Sequence, residues 1–408
     1  MNRFLNRWNR LSLIARIAVG LLLGVALGFL CPGATALGTL VTLFVGALKA
    51  IAPLLVFVLV VDALANAGEK VGSRFTPVVA LYLTSTALAA LLAVGASFLF
   101  PTTLKLPEAA DAGTPPSGVF EVFAQLLKNA TQNPVGALVD GNFIGVLTWA
   151  VVLGLALRST ASATTKSTLK DFATAATAAA RWVIGWAPLG ILGLTFTSVA
   201  TSGAAIFADY GRLLALLVGS MLTAALVLNP ALVFAVLRRN PYPLVFRCLR
   251  ESGVPAFFTR SSAANIPVNL QLCKKLGLDE NLYSIAIPLG ATINMNGAAI
   301  TIAVMSLAAA NTLGVSVDFP SALLLCAVST LAACGASGVA GGSLLLIPLA
   351  CSLFGIGVDV AMQVVGIGFV VGVVQDSLET ALNSSGDVLF AATAEFRERR
   401  KRGEPFEI

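Results

Sequence analysis

Residues 373–387 read VVQDSLETALNSSGD and place three carboxylates, Asp376, Glu379 and Asp387, at the end of a long apolar run. A charge in such a setting costs about 3 kcal/mol unless something satisfies it, so these residue types call for a chemical reason. On a helix, Asp376, Thr380, Asn383 and Asp387 follow one another at spacings of 4, 3 and 4. That places them within an arc of about 40–60° at ~100° per residue. Glu379 lies at the edge of the same stripe. A single polar face on an apolar helix points into a bundle or cavity, where it can hold a cation or an ammonium group. The plainer alternatives are a structural salt bridge and a fraying helix end, and Glu379 in particular can pair with a nearby Arg.

Two further stretches carry polar atoms where apolar ones are expected. GATINMNG, residues 290–297, interrupts an apolar segment with Asn294, Asn296 and Gly297. A helix broken there frees backbone carbonyls, and carbonyls with Asn side chains are hard oxygen ligands for a small cation such as sodium. The alternative is a glycine kink with its asparagines bonded between helices. TRSSAAN, residues 259–265, offers Ser261 and Ser262 at a turn, where a helix N-terminus attracts a carboxylate. Arg260 beside them can pair with Asp376 or Glu379, or lie at the membrane interface.

The elements that must position these residues are helices. Of 408 residues, 57% are hydrophobic and 11% charged, against about 25% charged in soluble proteins. Continuous apolar stretches of some twenty residues, without alternation, indicate an all-α polytopic membrane protein and not a β-barrel. There is no histidine, which excludes His-ligated metals, Ser–His triads and histidine proton relays. The six cysteines, Cys31, Cys248, Cys273, Cys326, Cys334 and Cys351, form no C-x-x-C pair and read as small hydrophobes. The net charge of +6 is ascribed to membrane topology and not to nucleic-acid binding. The first thirty residues read as a retained spanning helix, since the apolar run exceeds a signal h-region.

Spanning candidates fall at 11–31, 37–65, 76–100, 142–159, 180–203 and 209–237, and residues 102–140 form one long polar loop. Basic residues flank alternate connections: Arg3, Arg7 and Arg10; Lys70 and Arg74; Arg158, Lys166 and Lys170; Arg238, Arg239, Arg247 and Arg250; and the terminal EFRERRKRGEPFEI. The positive-inside rule then places both termini in the cytoplasm and the long loop outside. Residues 247–275 begin and end with basic residues, so this segment enters and leaves by one side as a re-entrant hairpin. Residues 319–353, with CGASGVAGGS in the middle, read as a second hairpin from the opposite side. The expected architecture is eight transmembrane helices plus two re-entrant hairpins of opposite orientation, an inverted-repeat arrangement of secondary transporters. The expected division is 1–240, a six-helix scaffold and trimerisation region with part of the transport domain; 241–396, a hairpin–helix–hairpin–helix transport core; and 397–408, a basic cytoplasmic tail.

The serine-rich tip followed by Pro267, the NMNG break and the D-x-x-x-T-x-x-N-x-x-x-D helix resemble, in this order, the dicarboxylate/amino acid:cation symporter family. The resemblance covers nearly the whole chain and is strongest over 250–390. It implies the glutamate-transporter-homologue fold, a homotrimer in the cell inner membrane and an elevator mechanism. It implies that Asp376 binds the substrate amino group, and that Asn383 and Ser262, with Ser261 and Thr380 nearby, bind its carboxylate. The tip at 335–339, including Gly338 and Val339, resembles an outer gate. Gly290, Asn294, Asn383 and Asp387 resemble one sodium site, and carbonyls of Thr292, Ala333, Cys334 and Ala336 a second, with Na+ as the co-transported ion.

Departures from the family pattern narrow the substrate. Acidic-substrate members carry Arg three residues after the amino-binding Asp, where this chain has Glu379. A bidentate Arg–carboxylate contact becomes a like-charge juxtaposition, so dicarboxylates are rejected. Asn296 and Ala298 replace the family's Asp and Thr, which puts in question a third sodium site near Tyr82, Ser85 and Thr86. Within the family the chain is similar to the bacterial sodium:serine/threonine branch. The expected function is sodium-coupled import of small neutral amino acids, with proton coupling through Glu379 as the alternative. An intramembrane aspartyl protease fails on geometry: Asp376 and Asp387 are eleven residues apart on one helix, about 16 Å, too far to share a proton.

Overall fold

A computed structural model describes residues 11–66, 75–106, 124, 127–336 and 341–405. Arg3, Arg7, Arg10, Lys70, Arg74, Gly338 and Val339 lie outside the described residues, as does part of the 102–140 loop. Every regular element among the described residues is helical, and six helical stretches are long and apolar enough to cross a membrane.

α1 (Leu13–Leu30) starts where the Ser12 hydroxyl accepts from the Ala15 amide at 3.2 Å, capping an otherwise unpaired donor. Its partner is α7 (Ala187–Ser202), and the contact is made by glycine. Gly20, Gly24 and Gly28 repeat every four residues on one face. A Cβ on Gly24 would stand 2.0 Å from Thr195 Oγ1 and 2.4 Å from the Leu192 carbonyl oxygen. The spacing thus lets two backbones meet where a larger residue would hold them apart. α7 continues the layer by pressing Gly190 on Phe44 of α2 (Gly38–Ala65), which also packs on α5 (Phe143–Thr160). α3 (Thr76–Leu99) lies instead against the C-terminal helices, and α4 (Pro134–Asp140) is a short helix in the polar loop.

The expected span 180–203 is corrected. Helix α6 (Ala163–Ile184) begins well before residue 180, and the chain bends by 43° between it and α7. The stretch 163–180 is rich in Thr and Ala, with no continuous apolar run, so hydropathy alone passes over it. Small residues nevertheless recur on one face, and Ala173, Ala176 and Ala180 are buried in the contact with α2. The region before residue 240 therefore holds one long helix more than expected.

Two proline-bearing helices carry the same irregularity. In α8 (Ala205–Leu237) a π turn, Ala224–Leu228, precedes Asn229-Pro230; in α9 (242–259) another, Leu249–Gly253, precedes Val254-Pro255. Proline lacks the N–H and its ring clashes with the carbonyl four residues back, so the turn widens to pass it. α9 and α10 (Ser262–Lys275) form a helical pair joined at Arg260 and Ser261, with Arg260 in the left-handed region at φ 51°.

α11 (Glu280–Ile293) and α12 (Asn296–Thr312) are one stretch interrupted at Asn294 and Met295. α13 (Phe319–Ala333) and the helical turns of α14 (Leu344–Phe354) form a second pair. α15 (Val358–Lys401) runs unbroken for 44 residues, about 66 Å. Both helices of the first pair, the α14 turns of the second, both halves of the broken helix and α3 pack on it.

Candidate functional site

The polar stripe of α15 faces inward along its whole length. Asp376, Glu379, Thr380, Asn383 and Asp387 are each no more than 6% exposed, and the helix continues to Lys401. A fraying end is therefore excluded, and every one of these side chains makes at least one hydrogen bond within the bundle.

Asp376 is held from two sides. Arg260 Nε donates to its Oδ2 at 2.6 Å, with Nη2 at the same distance, and the Gly341 amide donates to Oδ1 at 3.1 Å. The left-handed turn at Arg260 directs the guanidinium back onto α15, and the pairing is with Asp376 and not Glu379. The cavity beside them, lined by Arg260, Gly341, Gly372 and Asp376, has a volume of about 10 Å³, no more than a single water requires.

Glu379 is satisfied by neutral donors. Its Oε2 accepts from Thr301 Oγ1 at 2.8 Å, Ser343 Oγ at 2.8 Å and Gln375 Nε2 at 2.5 Å. These come from α12, the residues leading into α14, and α15 itself, so one carboxylate oxygen joins three elements. Among the described residues no cation pairs with it. Thr301, Ser343 and Gln375 were missed in the sequence. Gln375 stands one turn before Glu379, which is a local signal, but Thr301 and Ser343 are 78 and 36 residues away from it.

Asn383 faces the break. Its Oδ1 accepts from the Gly297 amide at 2.7 Å and its carbonyl from Asn294 Nδ2 at 2.9 Å, while Thr380 Oγ1 donates back to the Asp376 carbonyl at 2.8 Å. Asp387 Oδ1 accepts from Asn294 Nδ2 at 3.0 Å, and Tyr82 donates to the Asp387 carbonyl at 2.9 Å. Asp387 Oδ2 is buried with no hydrogen-bond partner. A buried carboxylate oxygen without a donor is costly and asks for a cation. Gly290 and Gly386 allow this crowding: a Cβ on Gly290 would stand 2.8 Å from Asp387 Oδ1, and one on Gly386 2.6 Å from Asn294 Nδ2.

Gly290, Asn294, Asn383 and Asp387 are thus brought together. Of the other candidates, Cys334 Sγ donates to the Ile293 carbonyl at 3.7 Å, which sets the end of α13, with Ala333 and Ala336, against the break. Thr292 donates back to the Leu289 carbonyl at 2.7 Å, leaving its own carbonyl at the helix end. Ser261 caps α10 by accepting from the Ala264 amide at 3.2 Å, and Ser262 is buried.

The region of the third candidate cation site is closed by hydrogen bonds. Ser85 and Thr86 hydroxyls reach Asn296 Oδ1 at 3.1 and 3.0 Å, and Asn296 Nδ2 donates to Asn229 Oδ1 at 3.2 Å. Asn229, beside the π turn of α8, was missed in the sequence. So was a buried network fastening the first helical pair to α15. Asn265 and Asn269 donate to Ser384 Oγ at 2.8 and 3.0 Å, and Ser252 donates to Asn269 Oδ1 at 2.5 Å.

Comparison with known proteins matches residues 13–395 to the sodium:dicarboxylate symporter family. The serine/threonine transporter SstT of Bifidobacterium adolescentis is 59% identical over 396 residues, covering 97% of this chain and 92% of the relative. The protein of the same name from Streptococcus agalactiae serotype III is 56% identical over 397 residues, covering 97% and 98%. That of Streptococcus thermophilus is 56% identical over 396 residues, with the same coverage.

Proposed function

This chain belongs to the sodium:dicarboxylate symporter family and is a membrane transporter, not an enzyme; from that premise we propose that it imports L-serine and L-threonine with sodium. The names of its relatives support the substrate class. Sodium is supported above all by one observation: the buried, unpartnered Oδ2 of Asp387, among Gly290, Asn294 and Asn383. These oxygens supply a hard-ligand site with one negative charge to neutralise the ion. Carbonyls of Thr292, Ala333, Cys334 and Ala336 form the second site.

The substrate binds between Asp376, which takes its ammonium, and Asn383, Thr380, Ser261 and Ser262, which take its carboxylate. The narrow cavity beside Asp376 means that Arg260 must shift from the carboxylate as the ammonium arrives. Glu379 meets the substrate side chain. It can accept from a small hydroxyl, as it does from Ser343, and repels a second carboxylate. The proposed frame is eight spans, with the bent pair α6–α7 counted as one, and two opposed re-entrant hairpins, with 241–396 as the transport core. That core moves as an elevator against scaffold helices of the 1–240 region in a homotrimer. Both termini, including the 397–408 tail, face the cytoplasm across the inner membrane.

A second reading is favoured by one feature: Glu379 is buried without a cationic partner among the described residues. In that reading the coupled ion is a proton carried by Glu379. Radiolabelled L-serine uptake into proteoliposomes separates the two. Uptake that requires external sodium and is untouched by excess L-aspartate supports the symporter. Uptake indifferent to sodium but driven by a pH gradient supports the proton carrier, and inhibition by aspartate overturns the role of Glu379 in selectivity.

A further inference from the structure

We propose that a groove at the basic end of α15, beyond Asp387 along the helix, binds an anionic phospholipid. The groove lies between α3, the end of α8 and the end of α15 and has a volume of about 480 Å³. Pro77, Leu81 and Val236 give it an apolar lining, and three arginines line it as well: Arg238, Arg397 and Arg400. No carboxylate does, among the described residues. The neighbouring groove across Arg397 is different, since Asp279, Glu395, Glu398 and Glu404 offset its basic residues. The excess of basic over acidic lining residues is thus on the groove's side of α15, with Arg397 shared between the two.

Two backbone features hold the charge in place. Arg400 Nη1 donates to the Leu237 carbonyl at 2.6 Å, tying the end of α15 to the end of α8. Arg238 caps α8 in the left-handed region at φ 54°, a position where glycine is the usual and less strained choice. Keeping a cation there at a conformational cost points to the charge itself.

The occupant's chemistry follows from what continues out of the groove. The outward face of α3 carries Leu83, Leu91 and Phe98, each at least 39% exposed, in line with Ala80 and Thr84 at the groove. A phosphate among the three arginines therefore has an apolar track for acyl chains beside it. That combination fits a phospholipid and is wasted on a free inorganic anion. The headgroup needs only that this end of the bundle meets the membrane surface, so the proposal does not depend on what is transported.

The test uses the full chain purified in neutral detergent, with bound lipid counted by native mass spectrometry. Phosphatidylglycerol is compared with phosphatidylcholine of the same chains, and separately with inorganic phosphate. Retention of phosphatidylglycerol over phosphatidylcholine is expected, falling about fivefold in Arg397→Gln and in Arg238→Gly, the loss expected for one cation at a membrane surface. Arg212→Gln, which removes an exposed charge elsewhere, should leave it unchanged. Arg238→Gly also relieves the left-handed strain, so its melting temperature in detergent should not fall, which separates lost binding from lost folding. Equal retention of the two lipids, undiminished retention in both groove variants, or displacement of the lipid by millimolar phosphate would each overturn the proposal.

Discussion

Helices α1 and α7 meet through the glycines Gly20, Gly24 and Gly28, whereas α15 meets its neighbours through carboxylates, amides and hydroxyls. In the first region Gly24 lies under the Leu192 carbonyl and the Thr195 hydroxyl with no room for a methyl group. In the second, Asp376, Glu379, Asn383 and Asp387 each bind atoms from outside α15: Arg260 for Asp376, Thr301 and Gly297 of α12 for Glu379 and Asn383, and Asn294 at the break for Asp387. The difference teaches where each kind of contact is useful. A lipid-like interior offers little hydrophobic drive between helices, so a permanent joint relies on close packing. A joint that must exchange partners with ions and solutes relies on polar groups that can be satisfied in more than one way.

If that contrast is right, the largest single effect on stability comes from the dry joint. Gly24→Leu should destabilise the protein by about 3 kcal/mol, read as a lower thermal unfolding midpoint in detergent, because neither backbone can yield without parting the helices. A variant that melts like the parent would show that the glycine seam is not what holds α1 to α7.

The polar region should answer in function and not in folding. Asp387→Asn should lower sodium affinity about 100-fold in proteoliposome uptake. Its melting temperature should hold or rise, because a buried charge with an unpartnered oxygen has been removed. Unchanged sodium dependence would remove Asp387 from the ion site. Ser343→Ala takes away one of three donors to Glu379. An expected loss of about 1.5 kcal/mol should appear as roughly tenfold weaker serine uptake. The effect should lie in KM and not in sodium activation. The smallest effect belongs to Lys49–Asp359, a 2.5 Å ion pair whose side chains are 46% and 82% exposed. Lys49→Ala should change stability by no more than about 0.5 kcal/mol. A larger loss would mean that this exposed pair matters as much as the buried polar contacts.

What the sequence by itself determined is what repeats locally. Apolar runs set most of the helices. Asn294 and Met295 set the break between α11 and α12, and the spacings of four, three and four put Asp376, Thr380, Asn383 and Asp387 on one face. Each depends on residues within a turn or two of one another. The start of α6 was lost because its signal is small residues on one face and not hydropathy. Tertiary structure alone decided the partners. Arg260 could reach either Asp376 or Glu379 by type, and the turn at φ 51° sends it to Asp376, 116 residues away. Thr301 and Ser343 on Glu379, Asn229 on Asn296 and Asn265 on Ser384 were equally invisible. The reason is physical: a hydrogen bond is directional and short, so which donor meets a buried acceptor is settled only when the helices have packed and their distances are set.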